Sequence, residues 1–123
     1  MKYMCLIFMD NESDVEVPHG ESHGYEIAQQ DFDDTLRRRA QLIGADMLQP
    51  ISTAMSVRND NGRVSVTPGP VPQTTAQLGG VYVIDVRDLN EAIRVASNMP
   101  CARHGNVEVR PVRTAAGNEF NEP

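Results

Sequence analysis

The segment from Lys2 to Met9 (KYMCLIFM) is almost continuously apolar, and it contains aromatic and branched side chains. It stops at Asp10-Asn11. A short apolar run of this kind is typical of a strand that is covered on both faces, because a strand with one side in water alternates polar and apolar residues. We therefore predict a central strand here.

An amphipathic helix is predicted after an exposed acidic connection. Residues Asn11 to Gly24 are acidic, contain Pro18 and show no sustained period, which is typical of a loop. Acidic residues then lie towards the N-terminal part of the helix and Arg37 to Arg39 towards its C-terminal part, as the helix macrodipole favours, and Gly44 is placed to end it. The apolar stripe of the helix consists of Tyr25, Ala28, Phe32, Leu36, Ala40 and Ile43.

Between Met47 and Thr67 the apolar period changes to two, which predicts a β-hairpin. The turn is Asn59-Asp60-Asn61-Gly62. If Asn61 and Gly62 are its central residues with positive φ, Val57 lies opposite Val66 on one face.

The second half of the chain predicts a loop, a strand, a short helix and a last strand. The prolines of Pro68 to Gly79 exclude a helix interior or a central strand, and Gly80 to Val86 (GVYVIDV) is apolar enough for a strand. Asp88 is placed as the N-cap of the helix, with Glu91 three residues later as in a capping box, and Pro100 closes it. The last strand is predicted at Asn106 to Arg113, and residues 114–123 are expected to form a C-terminal tail.

The predicted order is strand, helix, hairpin, strand, helix, strand, in a single domain over residues 1–113. Two helices of this size cover one face of a mostly antiparallel sheet, so the other face is solvated, covered by loops or paired with another subunit. We expect an α+β, ferredoxin-like domain with an extra hairpin. Since a small chain gains by burying the second face, we also expect a homodimer with its sheets face to face.

Composition limits the function classes. The 123 residues carry a formal charge of −6, which works against a phosphate-binding surface and so against nucleic acid as a ligand. No apolar run approaches the roughly 18 residues of a membrane span. Two cysteines and the absence of a signal-peptide pattern favour a cytoplasmic protein.

Four segments together resemble the YCII-related family, specifically its DGPF-domain branch. They are MKYMCLIFMD at the start, Met47 to Arg58, Gly79 to Val86 with the following DLNEAI, and the late GNVEVRPV, so the resemblance covers about residues 1–113. It implies a dimeric α/β barrel of ferredoxin-like protomers. It also implies a functional link to sigma factors of the extracytoplasmic-function class, which DGPF proteins often accompany, whereas some YCII relatives are small enzymes with a His/Asp pair.

The chain departs from the branch at its naming motif. Pro68-Gly69-Pro70-Val71 stands where the family reads Asp-Gly-Pro-Phe, so the Gly-Pro turn remains and the carboxylate is missing. Further along this loop, Gln73 replaces a charged residue of the family and is a candidate ligand contact. Because Gln and Pro do not exchange protons near neutral pH, any acid/base work of this loop is lost here.

The remaining candidate chemistry centres on His104, Glu108 and Arg110. Glu108 and Arg110 share a strand face, and both project towards the dimer side if Val107 and Val109 pack under the helices. In the catalytic interpretation His104 is the acid or base, Glu108 its partner and Arg110 the anion-binding group. The alternative is an interface ion pair beside an exposed loop histidine.

Other chemistry-bearing residues have a structural interpretation that is at least as good. Tyr82 either binds ligand in a cavity or packs in the core with its hydroxyl satisfied. His19 and His23 lie in a glycine- and proline-containing loop, so no metal site is expected. The buried Cys5 thiol is expected to be inert. The acidic residues of the first helix are expected on its solvated face, and these are Asp31, Asp33 and Asp34.

Two functions from different classes remain open. The first is a small-molecule-binding or regulatory dimer, which the lost motif carboxylate favours. The second is a small acid/base enzyme of lyase or isomerase type, with His104 and Glu108 at the dimer interface. Neither function requires a cofactor.

Overall fold

The chain forms six strands and two helices in the parts that the computed structural model describes, which are residues 1–10, 19–71, 74–103 and 105–113. Short 3-10 helices lie at Ile51–Thr53 and Pro100–Arg103. In chain order, the elements are β1 (Lys2–Asp10), α1 (His19–Arg38), β2 (Leu42–Met47), β3 (Met55–Asp60), β4 (Arg63–Pro68), β5 (Ala76–Asp85), α2 (Leu89–Ser97) and β6 (Gly105–Pro111).

Four of the strands form one antiparallel sheet in the order β2-β5-β1-β6. Helix α1 connects β1 to β2, and helix α2 connects β5 to β6, so each helix links two strands that are separated by one other strand. This is the ferredoxin-like arrangement, and the predicted α+β fold class is confirmed. The strand β1, predicted as central, pairs with β5 on one side and β6 on the other.

The core lies between the sheet and the two helices. Alternate side chains of the central strands point into it, and Cys5, Ile7 and Ile84 are fully buried. Leu36 of α1 and Ala92 of α2 cover them from the helix side. Because the helices cover only this face, the opposite face of the sheet receives no cover from them.

The strands β3 and β4 form the predicted hairpin as a separate two-stranded sheet. Val57 pairs with Val66, as the apolar pattern predicts. Asn61 and Gly62 have φ values of 50° and 92°, and the Asn59 side chain accepts a hydrogen bond from the Gly62 amide at 2.9 Å. The Asn-Gly pair is needed because both central turn positions are left-handed.

The first helix ends earlier than predicted, and a strand was missed. Helix α1 stops at Arg38, and residues 42–47, which include the predicted helix end at Gly44, form β2. Ala40 has a φ of 56°, and the amides of Ala40 and Gln41 bond back to the carbonyls of Arg37 and Leu36. This is a Schellman cap with alanine at the position that glycine usually occupies, so the sequence gives no stop signal there.

The first helix also begins earlier than predicted. Its first residue is His19, so the part of the predicted loop from 19 to 24 is helical, including Gly20 and Gly24. Each glycine weakens a helix by only about 1 kcal/mol relative to alanine, which tertiary packing can outweigh. Residues 11–18 of the predicted connection lie outside the described residues.

The later helix and strands agree closely with the predictions from the sequence. Asp88 is the N-cap of α2 and accepts a hydrogen bond from the Glu91 amide at 2.9 Å, while the Glu91 carboxylate accepts from the Arg87 amide rather than from the cap residue itself. Strand β5 begins at Ala76, within the predicted proline loop, and thus is longer than expected.

Gly105 is the first residue of β6 and lies against β1, where a Cβ would come within 2.2 Å of the Phe8 carbonyl oxygen. Neither α1 nor α2 is long and apolar enough to span a bilayer.

Replacing Ile84 by alanine tests the core. Ile84 is fully buried between the sheet and the helices, so Ile84→Ala is expected to lower the free energy of unfolding by about 2–5 kcal/mol. Ile93 of α2 is half exposed and serves as the control, with an expected loss below about 1 kcal/mol for Ile93→Ala. The measurement is urea unfolding at one fixed protein concentration, and equal losses in the two variants contradict the assigned core.

Candidate functional site

The face of the sheet opposite the helices carries an apolar stripe along its two central strands. Because Cys5 and Ile7 point to the helices, the residues between and beside them in β1 point to the other face. The same alternation applies to β5, in which Tyr82 and Ile84 point to the helices. We call this surface the outer sheet face; its apolar side chains, all of intermediate exposure, are Met4, Leu6, Phe8, Leu78, Val81 and Val83.

Charged side chains lie along both edges of the outer sheet face, on the edge strands β6 and β2. In β6, Glu108 lies opposite Leu6 and Arg110 lies opposite Met4. In β2, at the other edge, Asp46 lies opposite Val81. The face therefore combines an apolar centre with one cation and two carboxylates on its edge strands, and Lys2 and Asp85 add a pair of opposite charges at one end of its central strands. An apolar patch with charged groups around it is typical of a surface that binds a partner.

Glu108 and Arg110 are placed as the strand pattern predicts. Val107 and Val109 pack against the core on the helix side, so the two charged residues project from the outer sheet face. The Arg110 Nε lies 3.8 Å from the Glu108 Oε2, and the two side chains are 69% and 53% exposed. An ion pair this long and this exposed is weak, so the Arg110 guanidinium is available to another anion.

Two of the predicted site residues, His104 and Gln73, lie outside the described residues. Within the described part of the chain, no three side chains of His, Cys, Asp or Glu are grouped as a metal site requires. His19 and His23 lie on α1 by their backbone, and their side chains also lie outside the described set.

Tyr82 faces the helices rather than the outer sheet face, and it is 2% exposed. Its hydroxyl donates a hydrogen bond to the Asp33 Oδ1 at 2.5 Å. The Gln29 Nε2 donates to both the Tyr82 hydroxyl oxygen and the Asp33 Oδ1, the latter at 3.2 Å. The ring of Phe32 packs edge-on against the Tyr82 ring, with centroids 6.0 Å apart. The position of Tyr82 thus corresponds to the core alternative, with its hydroxyl fully satisfied.

This polar cluster of Gln29, Asp33 and Tyr82 corrects the prediction that Asp33 lies on the solvated face of the first helix. Asp33 is half-buried and hydrogen-bonded into the core. The signal was present, because Gln29 and Asp33 are four residues apart and each directly follows a residue of the apolar stripe, Ala28 and Phe32. Asp31 is exposed, and Asp34 pairs with Arg37 at 3.2 Å.

Burial controls the chemistry of the cluster and of the neighbouring thiols. Loss of solvation, together with the hydrogen bond to Asp33, raises the pKa of Tyr82 far above its usual range. Burial, with a smaller contribution from Cys101, raises the pKa of Cys5 to about 11. Burial also raises the pKa of Cys101. These groups therefore stay protonated at neutral pH, and neither thiol is a nucleophile there.

A small open cavity lies beside the hairpin, with a volume of about 290 Å³. The polar face of the hairpin contributes Ser56, Arg58, Ser65 and Thr67, and the following loop contributes Pro70 and Val71. The Ser56 hydroxyl donates to the Gly69 carbonyl at 2.6 Å, which holds the loop against the hairpin. Since Arg58 already pairs with Asp60 at 3.0 Å, the cavity offers a partly neutralised cation and several hydroxyls.

Removing the Tyr82 hydroxyl tests the polar cluster. At pH 7 to 8, Tyr82→Phe is expected to lower the free energy of unfolding by about 1–3 kcal/mol, since Asp33 loses a buried donor. The folded pKa of Tyr82 is raised, so its stabilising contribution is complete below the unfolded value near 10 and is lost as the pH rises above it. The difference between wild type and variant is therefore expected to shrink above pH 10, by up to about 1.4 kcal/mol per pH unit.

The measurement is chemical unfolding at a series of pH values between 7 and about 11. Tyr3→Phe is the matched control, because Tyr3 is equally buried and its hydroxyl contacts the Met1 sulfur at 4.0 Å. A constant difference between wild type and Tyr82→Phe across this range would contradict the assigned cluster.

Comparisons with known proteins agree with this architecture. Residues 1–116 match the model of the YCII-related domain. An uncharacterized protein of Rhizobium meliloti (strain 1021) is 37% identical over 67 residues, which are 53% of this chain and 54% of that protein, so the match spans about half of each. Since the family model covers the whole ferredoxin-like domain, the chain belongs to the YCII-related family.

Proposed function

We propose that the protein is a homodimer that binds a small anionic molecule between two facing sheets and serves a regulatory rather than a catalytic role. The observation that carries this proposal is the outer sheet face, an apolar stripe without helix cover that has a weakly paired arginine at its edge. A patch of this kind on a small domain marks an interaction site. A second copy with the same face provides an apolar match by two-fold symmetry.

The ligand class follows from the groups that line this face. Two facing stripes would enclose an apolar space, and Arg110 would supply a planar donor for a carboxylate or phosphate. The attraction between Arg110 and Glu108 is small in water, so a ligand anion that forms two parallel hydrogen bonds can compete with it. An aromatic carboxylate such as benzoate combines both features and is a suitable probe.

The regulatory role is supported by the chemistry of the described residues. The buried Tyr82 and cysteines hold their protons at neutral pH, and Glu108 is an exposed carboxylate beside an arginine. The loss of the DGPF-branch carboxylate at Pro68 points the same way, since proline exchanges no protons. We assign the chain to that branch on the four segments quoted above, and a link to a sigma factor is part of the same proposal.

Disrupting the apolar stripe tests the dimer. Leu6 lies in the middle of the outer sheet face, so Leu6→Gln places two amides in the interface, one from each copy. Each lost leucine contact is worth about 1.5–3 kcal/mol, so the dimer Kd is expected to rise by more than about 100-fold. Sedimentation equilibrium measures this, and Ile93→Gln on the helix side is the control with an unchanged Kd. An unchanged Kd for Leu6→Gln contradicts the face-to-face dimer.

Neutralising Arg110 tests the anion site. Arg110→Gln is expected to weaken benzoate binding by roughly 10- to 100-fold, because a charge-assisted hydrogen bond is lost. The measurement is an NMR titration of the dimer with benzoate, together with native mass spectrometry of the protein as purified from its producing cells. Arg94→Gln removes the same charge on α2 and is expected to leave binding unchanged. Equal binding by wild type and Arg110→Gln contradicts the site, and a bell-shaped pH-rate profile that depends on His104 contradicts the non-catalytic role.

A further inference from the structure

The small cavity beside the hairpin brings together polar side chains from both of its strands. Strand alternation places Arg58 of β3, and Ser65 and Thr67 of β4, on the polar face of the hairpin. Arg58 lies directly opposite Ser65, and Thr67 is the next residue of β4 on the same face, so the three side chains lie within reach of one small group. All three line the cavity, whose volume is about 290 Å³.

These side chains carry hydrogen-bond donors that the protein itself does not use. Within the described ranges, the hydroxyls of Ser65 and Thr67 form no hydrogen bond. The Arg58 Nε lies 3.0 Å from the Asp60 Oδ2, and the two terminal nitrogens of the same guanidinium have no partner among the described residues. Since a guanidinium carries five N–H groups, four of them stay available beside the two hydroxyls.

The loop after β4 supplies an apolar part of the cavity wall and is fixed in place. Pro70 and Val71 line the cavity, and Val71 is 79% exposed. The Ser56 hydroxyl donates to the Gly69 carbonyl at 2.6 Å, and the Gly69 amide donates to the Ala54 carbonyl at 2.8 Å. Gly69 has a φ of 102°, a left-handed conformation that glycine adopts without strain. The protein's own hydrogen bonds therefore hold the loop against the hairpin.

The donors in the cavity indicate the chemistry of the ligand. A guanidinium and two hydroxyls that come from two strands can each bind a different oxygen of a tetrahedral phosphate, whereas a planar carboxylate offers only two oxygens. The apolar loop residues suit a small apolar group that is attached to the phosphate. The volume lies at the lower end of the range for small-molecule pockets, which is about 300–1,000 Å³.

Charge favours a small anion over a polyanion. Arg58, Arg63 and Asp60 give the hairpin a net charge of +1 in a chain whose formal charge is −6. Arg63 lies on the same face as Ser65 and has no ion-pair partner in the part of the chain that the structure describes, so its field adds to that of Arg58. A nucleic acid would also meet the acidic remainder of the chain and be repelled, whereas a single phosphate group meets the hairpin alone.

We propose that this cavity binds the phosphate group of a small phosphate monoester through the Arg58 guanidinium and the Ser65 and Thr67 hydroxyls. The Arg58–Asp60 ion pair does not block the site, because its two side chains are 78% and 64% exposed and an exposed pair is weak. The site uses no residue of the outer sheet face and needs no second copy. It therefore goes beyond the proposed function and is independent of it.

An NMR titration with phenyl phosphate tests the site, with the Kd taken from the amides of residues 56–58 and 65–69. Arg58→Gln is expected to raise this Kd by about 10- to 100-fold, because a charge-assisted hydrogen bond is lost. Thr67→Val keeps the β-branched shape and removes only the hydroxyl, with an expected rise of about 3- to 10-fold. Both side chains are exposed, so the variants are expected to fold. Arg94→Gln on α2 is the matched control for lost charge and is expected to leave the Kd unchanged.

A further variant is expected to change the Kd in the opposite direction. Asp60→Asn removes the carboxylate that competes for Arg58, so phenyl phosphate is expected to bind about 2- to 5-fold more tightly. Asp31→Asn removes an exposed carboxylate of α1 and is expected to leave the Kd unchanged. Equal Kd values for wild type and Arg58→Gln, weaker binding by Asp60→Asn, or shifts that do not include the hairpin amides each overturn the site.

This site and the proposed function fail separately. Phenyl phosphate binding that depends on Arg58 and not on Arg110 supports the cavity site even where benzoate does not bind the outer sheet face. Benzoate binding that depends on Arg110, without phenyl phosphate shifts in the hairpin, overturns the cavity site and leaves the proposed function standing.

Discussion

The pairing of β1 between β5 and β6 is the constraint on which the rest of the structure depends. Because Cys5 lies opposite both Tyr82 and Val109, these pairings decide which side chains of β1, β5 and β6 point to the helices and which point to the outer face. The helix side then receives the buried core, and the outer face receives Leu6, Val81 and Glu108. A slip of one residue would exchange these two sets, so the position of the candidate anion site follows from the same register that builds the core.

The predictions from sequence succeeded where a local pattern has one physical solution. The Asn-Gly turn between two alternating strands has a defined geometry, and Val57 meets Val66 as expected. They failed at the end of α1, because the chain turns at Ala40 with a positive φ that alanine seldom adopts. The predicted apolar stripe of the helix included Ala40 and Ile43, which keep the helical spacing by coincidence. Ala40 lies in the turn after α1, and Ile43 lies in β2. Tertiary pairing with β5 decided that segment, and periodicity alone could not.

In the candidate site, too, the sequence predicted what depends on a local pattern and missed what depends on packing between distant segments. That Glu108 and Arg110 share a face follows from the period of two, and the structure places them together on the outer side. The cluster of Gln29, Asp33 and Tyr82 depends instead on how α1 is rotated above the sheet, which is a property of packing between distant segments. Sequence spacing could show that Gln29 and Asp33 are neighbours on one side of the helix. It could not show that a tyrosine of β5 lies beneath them.

Two apolar surfaces, the outer sheet face and one face of the β3–β4 hairpin, are left uncovered by the two helices. The helices bury one face of the main sheet, and a chain of 123 residues has no further helix among its described residues to bury the other face or the hairpin. The hairpin strands do not need apolar side chains to form, since their opposite face consists of serine, threonine and charged residues. Apolar side chains that are exposed to water do not stabilise a monomer, so these two surfaces favour burial against a partner. In the proposed homodimer, a two-fold axis would place the outer sheet face of one copy against the same face of the other, so that both stripes would be buried by one contact.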